Sequence, residues 1–295
     1  MKTDKNVKWR RTDVSNLDLA GLKVAVIGGT GGIGRALSHK LASRGARVTV
    51  YGQTFRDVGV TGIDFVKADL SLMSEAKRVS REMPAGTLDL VIFTTGIMAG
   101  PKRQETQEGI ERDMAVSYLS RLVILREIAA RLGRDRPTGR MKPRVFVMGF
   151  PGTGQTGSSD DLNSDKSYSR WAAHMNTVAG NELLVLDSAK RFPGVTFFGL
   201  NPGFVKTSIR SNLFGSNSLL LRVMEWATQF MTASPETYAD RLTPLFVTPD
   251  IEGHSGAMFN NKGDAILPTP KLLNTSYADA FLRASETLVS RATPA

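Results

Sequence analysis

The stretch Lys23-Val24-Ala25-Val26-Ile27-Gly28-Gly29-Thr30-Gly31-Gly32-Ile33-Gly34 runs from a short apolar segment into a glycine-rich turn. Its valines and isoleucine favour a β-strand over residues 23–27, and Ile33, Leu37 and Leu41 then recur at helical spacing. Glycines between a strand and a helix allow a tight turn and let main-chain amides approach a pyrophosphate. The alternative is a purely structural turn. We predict a cofactor site of the NAD(P) type made by Gly28, Thr30, Gly31, Gly32, Ile33 and Gly34.

Strand-like and helix-like segments alternate along the rest of the chain. Long helices are indicated around residues 116–128 and 171–186. This alternation predicts an α/β fold, a single-domain Rossmann-like doubly wound parallel sheet with helices on both faces. Ligands of such sheets bind at the carboxyl ends of the strands. We assign the domain to residues 17–295 and a loose basic arm to residues 1–16. The predicted strands are 23–27, 47–51, 64–66, 88–93, 145–148, 195–200 and 257–259.

Composition excludes several classes of function. The 295 residues contain no cysteine, which excludes disulfides and thiolate metal sites, and the three histidines lack metal-ligand spacing, so we expect no metal. The net charge of +10 is concentrated in the arm and in a loop over residues 131–144. Neither segment forms a recognisable nucleic-acid motif, so we expect solvated surfaces and no nucleic acid. No apolar run reaches the roughly 20 residues that span a bilayer, and no secretory signal is visible; we expect no membrane insertion and a cytoplasmic location.

The end of the second predicted strand bears on the choice of dinucleotide. An acidic residue there would receive the ribose hydroxyls of NAD. This chain has Tyr51-Gly52-Gln53-Thr54 instead, with Arg56 and Arg35 nearby. The 2′-phosphate of NADP is favoured here, because no carboxylate would repel it and two cations lie nearby. We therefore predict NADP (NADPH) over NAD, with Gln53 and Arg35 in the cofactor site. The alternative for both arginines is a role as surface charges.

These motifs resemble the short-chain dehydrogenase/reductase family, in particular its retinol-dehydrogenase-like branch, over residues 17–272. Besides the glycine turn, the likeness rests on Asp69-Leu70, on Gly96 in Phe93-Thr94-Thr95-Gly96, and on Pro202-Gly203-Phe204-Val205-Lys206-Thr207. The resemblance implies that Asp69 and Leu70 contact the adenine. It also implies that Gly96 ends a strand beside the cofactor. The turn formed by Pro202, Gly203, Val205 and Thr207 would hold the nicotinamide amide.

The same resemblance implies that all four catalytic positions are altered. The tyrosine and lysine of the family align with His174 and Val178, its serine with Phe150, and its asparagine with Ser117. Valine can neither hold a ribose hydroxyl nor acidify a neighbour, and phenylalanine cannot stabilise an oxyanion. His174 still carries a group that could donate a proton. We take His174 and Ser117 as catalytic candidates; the alternative is that His174 is a packed polar residue without a role in turnover.

Three functions are compatible with these residues. The first is an atypical NADP-dependent oxidoreductase acting on an apolar carbonyl-type substrate. The second is a catalytically silent dinucleotide-binding protein, and the third a non-redox isomerase or cyclase using the same pocket. An apolar segment over about residues 208–235 resembles a substrate lid, or else a core or dimer helix. Relatives pair their two long helices, so a homodimer or homotetramer is expected.

Overall fold

The computed structural model describes residues 1–203 and 234–293, and its centre is one eight-stranded sheet. The strands lie in the order β3-β2-β1-β4-β5-β6-β7-β8, and all neighbours are parallel except β7 and β8. The order changes direction between β1 and β4, which is the point where ligands of doubly wound sheets bind. The strands are β1 (Lys23–Ile27), β2 (Arg47–Gly52), β3 (Ile63–Lys67), β4 (Leu90–Phe93), β5 (Arg144–Met148), β6 (Thr196–Leu200), β7 (Met258–Phe259) and β8 (Ala265–Ile266).

Helices cover both faces of this sheet. On one face α1 (Gly32–Ser43) and α5 (Pro235–Val247) pack on the side chains of alternate strand residues, such as Val26 and Ile92. The other alternate residues, such as Ile27 and Phe93, pack under α2 (Met73–Glu82), α3, α4 (Arg170–Arg191) and α6 (Thr275–Ala292). Helix α3 spans residues 112–128 and comprises Arg112–Met114, a π-helical segment Ala115–Leu119 and Ser120–Ile128. The predicted α/β doubly wound fold is therefore confirmed.

The N-terminal residues lie against the antiparallel end of the sheet. The amide of Asp4 donates to the carbonyl of Ala265, and the amide of Leu267 donates to the carbonyl of Lys2. The Trp9 indole donates to the carbonyl of Gly263 at 2.7 Å. The sequence predicts a loose arm here, whereas the structure places this segment on β8, where it covers an open sheet edge.

Helix α6 lies across the outer face of α3 and α4. Phe281 and Tyr118 are fully buried with their rings 6.1 Å apart, and the Tyr118 hydroxyl hydrogen-bonds Ser285 at 3.1 Å. Arg126 of α3 also reaches Glu286 at 3.4 Å. Helix α6 thus covers part of α3, one of the two helices expected to pair subunits, and that pairing stays a prediction. No helix within the described residues is both long and apolar enough to cross a bilayer.

Candidate functional site

A cleft of about 1580 Å³ lies at the carboxyl ends of the central strands. Typical small-molecule sites measure about 300–1,000 Å³, so this cleft has room for a dinucleotide and a second molecule. Val205, Thr207 and most of the predicted lid at 208–235 lie outside the described residues. The structure brings most of the sequence-predicted site residues to this one cleft: Gly28, Thr30, Gly31, Gly32, Ile33, Gly34, Gln53, Asp69, Leu70, Gly96, Ser117, His174, Pro202 and Gly203.

The glycine turn is built so that only glycine fits at its two ends. Gly28 has φ +95°, and a Cβ there would lie 2.5 Å from the Thr95 amide nitrogen. A Cβ on Gly34 would lie 2.5 Å from the carbonyl oxygen of Gly28. At Gly31, by contrast, a Cβ would meet no atom within 4 Å, and no side chain caps α1. The first amides of α1 are thus left for an anion in the cleft.

The end of the cleft beside β2 and β3 is polar. Gln53 follows β2 and Asp69 follows β3, and the Gln53 side chain acts to lower the pKa of Asp69. Burial acts to raise the pKa of Asp69, but hydrogen bonds from Ser71 and Gln53 outweigh it, so the pKa lies below its ordinary value. The Asp69 side chain is therefore an ionised hydrogen-bond acceptor at neutral pH.

Arg35 does not lie in this cleft. Its guanidinium donates to Asp57, with Nη2 2.6 Å from Oδ1, and His39 Nε2 lies 2.9 Å from the same oxygen. Arg35 borders a separate hollow with Lys40 and Glu236 on the outer side of α1. The prediction that Arg35 belongs to the cofactor site needs correction, because a carboxylate five residues after β2 folds back and neutralises it.

The Arg35–Asp57 pair has a consequence for stability. The hydrogen bond from Arg35 lowers the pKa of Asp57, helped by His39 and opposed by burial. A lowered folded-state pKa contributes stability above the ordinary value of 3.8 that is lost as pH falls through the folded-state value. We expect Asp57→Asn to lower the free energy of unfolding at neutral pH, because the ion pair with Arg35 is lost. The decrease should be only about 1 kcal/mol, since Arg35 is half exposed and solvent screens the pair.

Urea unfolding of both proteins at neutral pH and at about pH 3 measures this difference. The gap between wild type and Asp57→Asn should narrow toward the acid end. A gap of constant size across this range would contradict the ion-pair account.

A carboxylate–imidazole pair faces the other half of the cleft. Asp113 of α3 is fully buried, and its Oδ2 lies 2.8 Å from Nδ1 of His174 on α4. Its Oδ1 accepts a hydrogen bond from the Ser117 hydroxyl at 2.6 Å. Because the carboxylate accepts from Nδ1, Nε2 is the ring nitrogen left to the cleft, and it has no hydrogen-bond partner among the described residues.

Ser117 fixes the geometry around this pair. Besides donating to Asp113, its hydroxyl accepts a hydrogen bond from the amide of Ile97 at 3.0 Å, in the segment after β4. Asp113 and Ser117 lie at the start of α3, in and beside its π-helical segment. Single π turns of this kind are frequent at functional sites. Fully buried Glu111 begins the helix by accepting from the amides of Asp113 and Met114, and burial raises its pKa.

Arg121 lies beneath the same half of the cleft. Its guanidinium donates to the carbonyls of Thr95 and Met148, at the ends of β4 and β5, and to Asn181 Oδ1 at 2.9 Å. Burial lowers the pKa of Arg121 to about 9, so the cation is retained at neutral pH. The rest of this half is mostly apolar. Its apolar lining residues are Ile97, Met98, Val116, Met148, Phe150, Trp171, Met175 and Val178.

Comparisons with known proteins agree with this geometry. The short chain dehydrogenase family model matches residues 23–141. An uncharacterized oxidoreductase of Saccharomyces cerevisiae is 53% identical over 295 residues, covering 99% of this chain and 95% of its own. This chain belongs to the short-chain dehydrogenase/reductase family. Human retinol dehydrogenase 14 is 26% identical over 302 residues, 91% of this chain and 86% of its own.

Solved structures give the same fold. An uncharacterized protein from Mycobacterium paratuberculosis matches with a TM-score of 0.70 at 17% identity, over 95% of this chain and 97% of that one. The aldohexose dehydrogenase of Thermoplasma acidophilum matches with a TM-score of 0.62 at 15% identity, over 82% and 92%. At these identities the likeness concerns the fold.

In this member of the family, sequence reasoning missed Asp113 and Arg121. Both lie on the helix that carries Ser117, at intervals of four residues. That spacing places the three side chains on one helix face and could have indicated a polar stripe. The sequence gives no sign that this face meets His174, which is 61 residues further on.

Proposed function

We propose that this protein is an NADP-dependent oxidoreductase that acts on apolar carbonyl compounds. The observation that carries the proposal is that His174, which is hydrogen-bonded to Asp113, lines the same cleft as the glycine turn. The yeast relative, more than half identical, is named an oxidoreductase, and the human relative a retinol dehydrogenase. The four altered catalytic positions motivate the catalytically silent alternative, whereas the imidazole that Asp113 holds at this cleft favours the oxidoreductase.

The residues divide the chemistry between the two halves of the cleft. A bound nicotinamide supplies the hydride that goes to the carbonyl carbon. His174 Nε2 donates the proton that goes to the carbonyl oxygen, and Asp113 holds the ring by Nδ1 and stabilises the protonated imidazole. Ser117 keeps the carboxylate in place. Val178 and Phe150 exclude water instead of taking part in proton transfer.

The substrate class follows from the lining of this half of the cleft. Trp171 is 62% exposed at the start of α4, and Met175 and Val178 continue the same helix face. An apolar wall with one proton donor fits a ligand with a hydrocarbon body and a single carbonyl group.

The preference for NADP rests on Gln53, since Arg35 is paired with Asp57. Gln53→Asp would place a carboxylate where the adenosine ribose is expected, repelling a 2′-phosphate and accepting from a free hydroxyl. We expect this variant to bind NADPH at least about 10-fold more weakly and NADH more tightly. Titrations of both cofactors into both proteins, followed by nicotinamide fluorescence, measure the change. Equal weakening of both cofactors would refute this assignment of Gln53, and Gln155→Asp, at another point of the cleft lining, is the control.

The proposed activity is tested by following NADPH oxidation with a panel of apolar ketones, aldehydes, quinones and enones. We expect at least one to accelerate NADPH loss above the rate without substrate. If NADPH binds and none of the panel is reduced, the oxidoreductase proposal fails and the silent or non-redox alternative takes its place.

A further inference from the structure

Arg121 is a fully buried arginine without a carboxylate partner at ion-pair distance in the part of the chain that the structure describes. Arg126, Arg136 and Arg144 pair with Asp187, Asp89 and Glu252 at 2.7 to 2.9 Å. Arg121 is only 2% exposed and, within residues 1–203 and 234–293, has no carboxylate within ion-pair distance. A buried cation without a counter-ion is costly to retain. The buried carboxylate of Asp113 attracts the cation only from beyond ion-pair distance, and its two oxygens are already bonded to His174 and Ser117. Part of the charge on Arg121 is therefore left uncompensated.

The hydrogen-bond inventory points the same way. A guanidinium has five N–H groups, and three of those on Arg121 donate to Met148, Asn181 and Thr95. Nε is buried and has no acceptor among the described residues, and the second N–H of Nη2 has none there either. Unsatisfied donors at this depth cost about 1–3 kcal/mol each, more for charged groups.

The cleft approaches Arg121 at a position without a side chain. A Cβ on Gly96 would lie 3.9 Å from Arg121 Nη2 and 4.0 Å from the Ser117 hydroxyl. Gly96 itself and Arg121 both line the cleft. Because Gly96 has no side chain, a ligand atom in the cleft can approach the Arg121 guanidinium past this residue.

We infer that Arg121 binds the nicotinamide-ribose half of the dinucleotide, through an oxygen of that half. The inference rests on the proposed function. A pyrophosphate held at the start of α1, at the switch between β1 and β4, leaves one nucleoside over β2 and β3 and the other over β4 and β5. Gln53 and Asp69 would contact the nucleoside over β2 and β3. Arg121, beneath the ends of β4 and β5, would contact the other nucleoside. Val178, on the facing helix, supplies no charge there.

The test compares a whole dinucleotide with its adenosine half. NADPH is titrated by fluorescence, and 2′,5′-ADP by displacement of NADPH and by calorimetry. Arg121→Met should weaken NADPH binding about 10- to 100-fold, the loss expected for hydrogen bonds from a charged group, and leave the 2′,5′-ADP affinity unchanged. Arg126→Met, on the same helix but outside the cleft, is the matched control and should change neither affinity.

Two further variants keep the test decisive if Arg121→Met does not fold. Arg121→Lys keeps the charge but loses the planar fork. Gly96→Ala keeps every internal contact of Arg121 and covers Nη2 at ordinary van der Waals distance. Each variant should weaken NADPH binding and leave 2′,5′-ADP binding unchanged. The double variant should lose less NADPH binding free energy than the sum of the two single losses.

Additive losses, or equal losses for NADPH and 2′,5′-ADP, would overturn the assignment of Arg121. Failure of the wild type to bind either ligand would instead overturn the proposed function.

Discussion

Replacing His174 with alanine is expected to lower kcat/KM for carbonyl reduction by about 10² to 10⁴, the range for a positioned general acid. The imidazole is the titratable group that Asp113 orients toward the cleft, and Val178 and Phe150 cannot substitute for it. NADPH affinity should stay within about 2-fold of wild type, because neither the pyrophosphate and adenine contacts nor the inferred contact of Arg121 involves the imidazole. Steady-state rates with the best substrate of the panel, together with NADPH titration, measure both quantities.

Asp113→Asn should act in the same direction. An amide in place of the carboxylate can neither stabilise the protonated ring nor enforce the Nδ1–H tautomer, so the loss should fall on kcat rather than on cofactor affinity. His39→Ala is the matched control, since His39 also contacts a buried carboxylate, Asp57, but on the outer side of α1. Full activity of His174→Ala, or an equal loss in His39→Ala, would remove the imidazole from the proposed chemistry.

Gly31→Glu is expected to abolish dinucleotide binding, with an affinity loss of at least about 100-fold for both NADPH and 2′,5′-ADP. The new side chain meets no protein atom within 4 Å of its Cβ and lies where the pyrophosphate is expected, with a negative charge. The same charge at the start of α1 is favourable for the helix, so stability should be unchanged or slightly raised. Loss of binding without loss of stability is the signature that separates this effect from misfolding.

Thermal unfolding with and without NADPH reports both quantities. NADPH should raise the Tm of wild type and leave that of Gly31→Glu unchanged. Gly194→Glu is the control, because a Cβ at this exposed glycine before β6 also meets nothing within 4 Å. Binding that survives Gly31→Glu would place the cofactor elsewhere.

The parts of the molecule that sequence identifies are those with local causes. Gly28 and Gly34 are required by close backbone approaches within the turn, so their spacing is visible in the chain itself. Strand β4 is buried on both faces and is therefore an unbroken apolar run. Strand β8 has two residues and runs antiparallel, which leaves no periodicity to detect.

The catalytic half depends on contacts between distant segments. Asp113 becomes a partner of His174 only because α3 and α4 pack side by side, and the sequence alone gives no register for that packing. The ion pair of Asp57 is a second example. Asp57 lies in the loop after β2 and contacts Arg35, so that Arg35, expected as a cofactor ligand, forms an ion pair instead. The family resemblance supplied the positions of Ser117, Phe150, His174 and Val178, but not the residues that support them.

The most direct test of the account is a crystal structure of the protein with NADPH. It should show the pyrophosphate against the amides of residues 31–34, the adenosine beside Gln53 and Asp69, and the nicotinamide ring between Gly96 and His174. A dinucleotide bound outside this cleft, or one whose nicotinamide lies away from the Asp113–His174 pair, would contradict it.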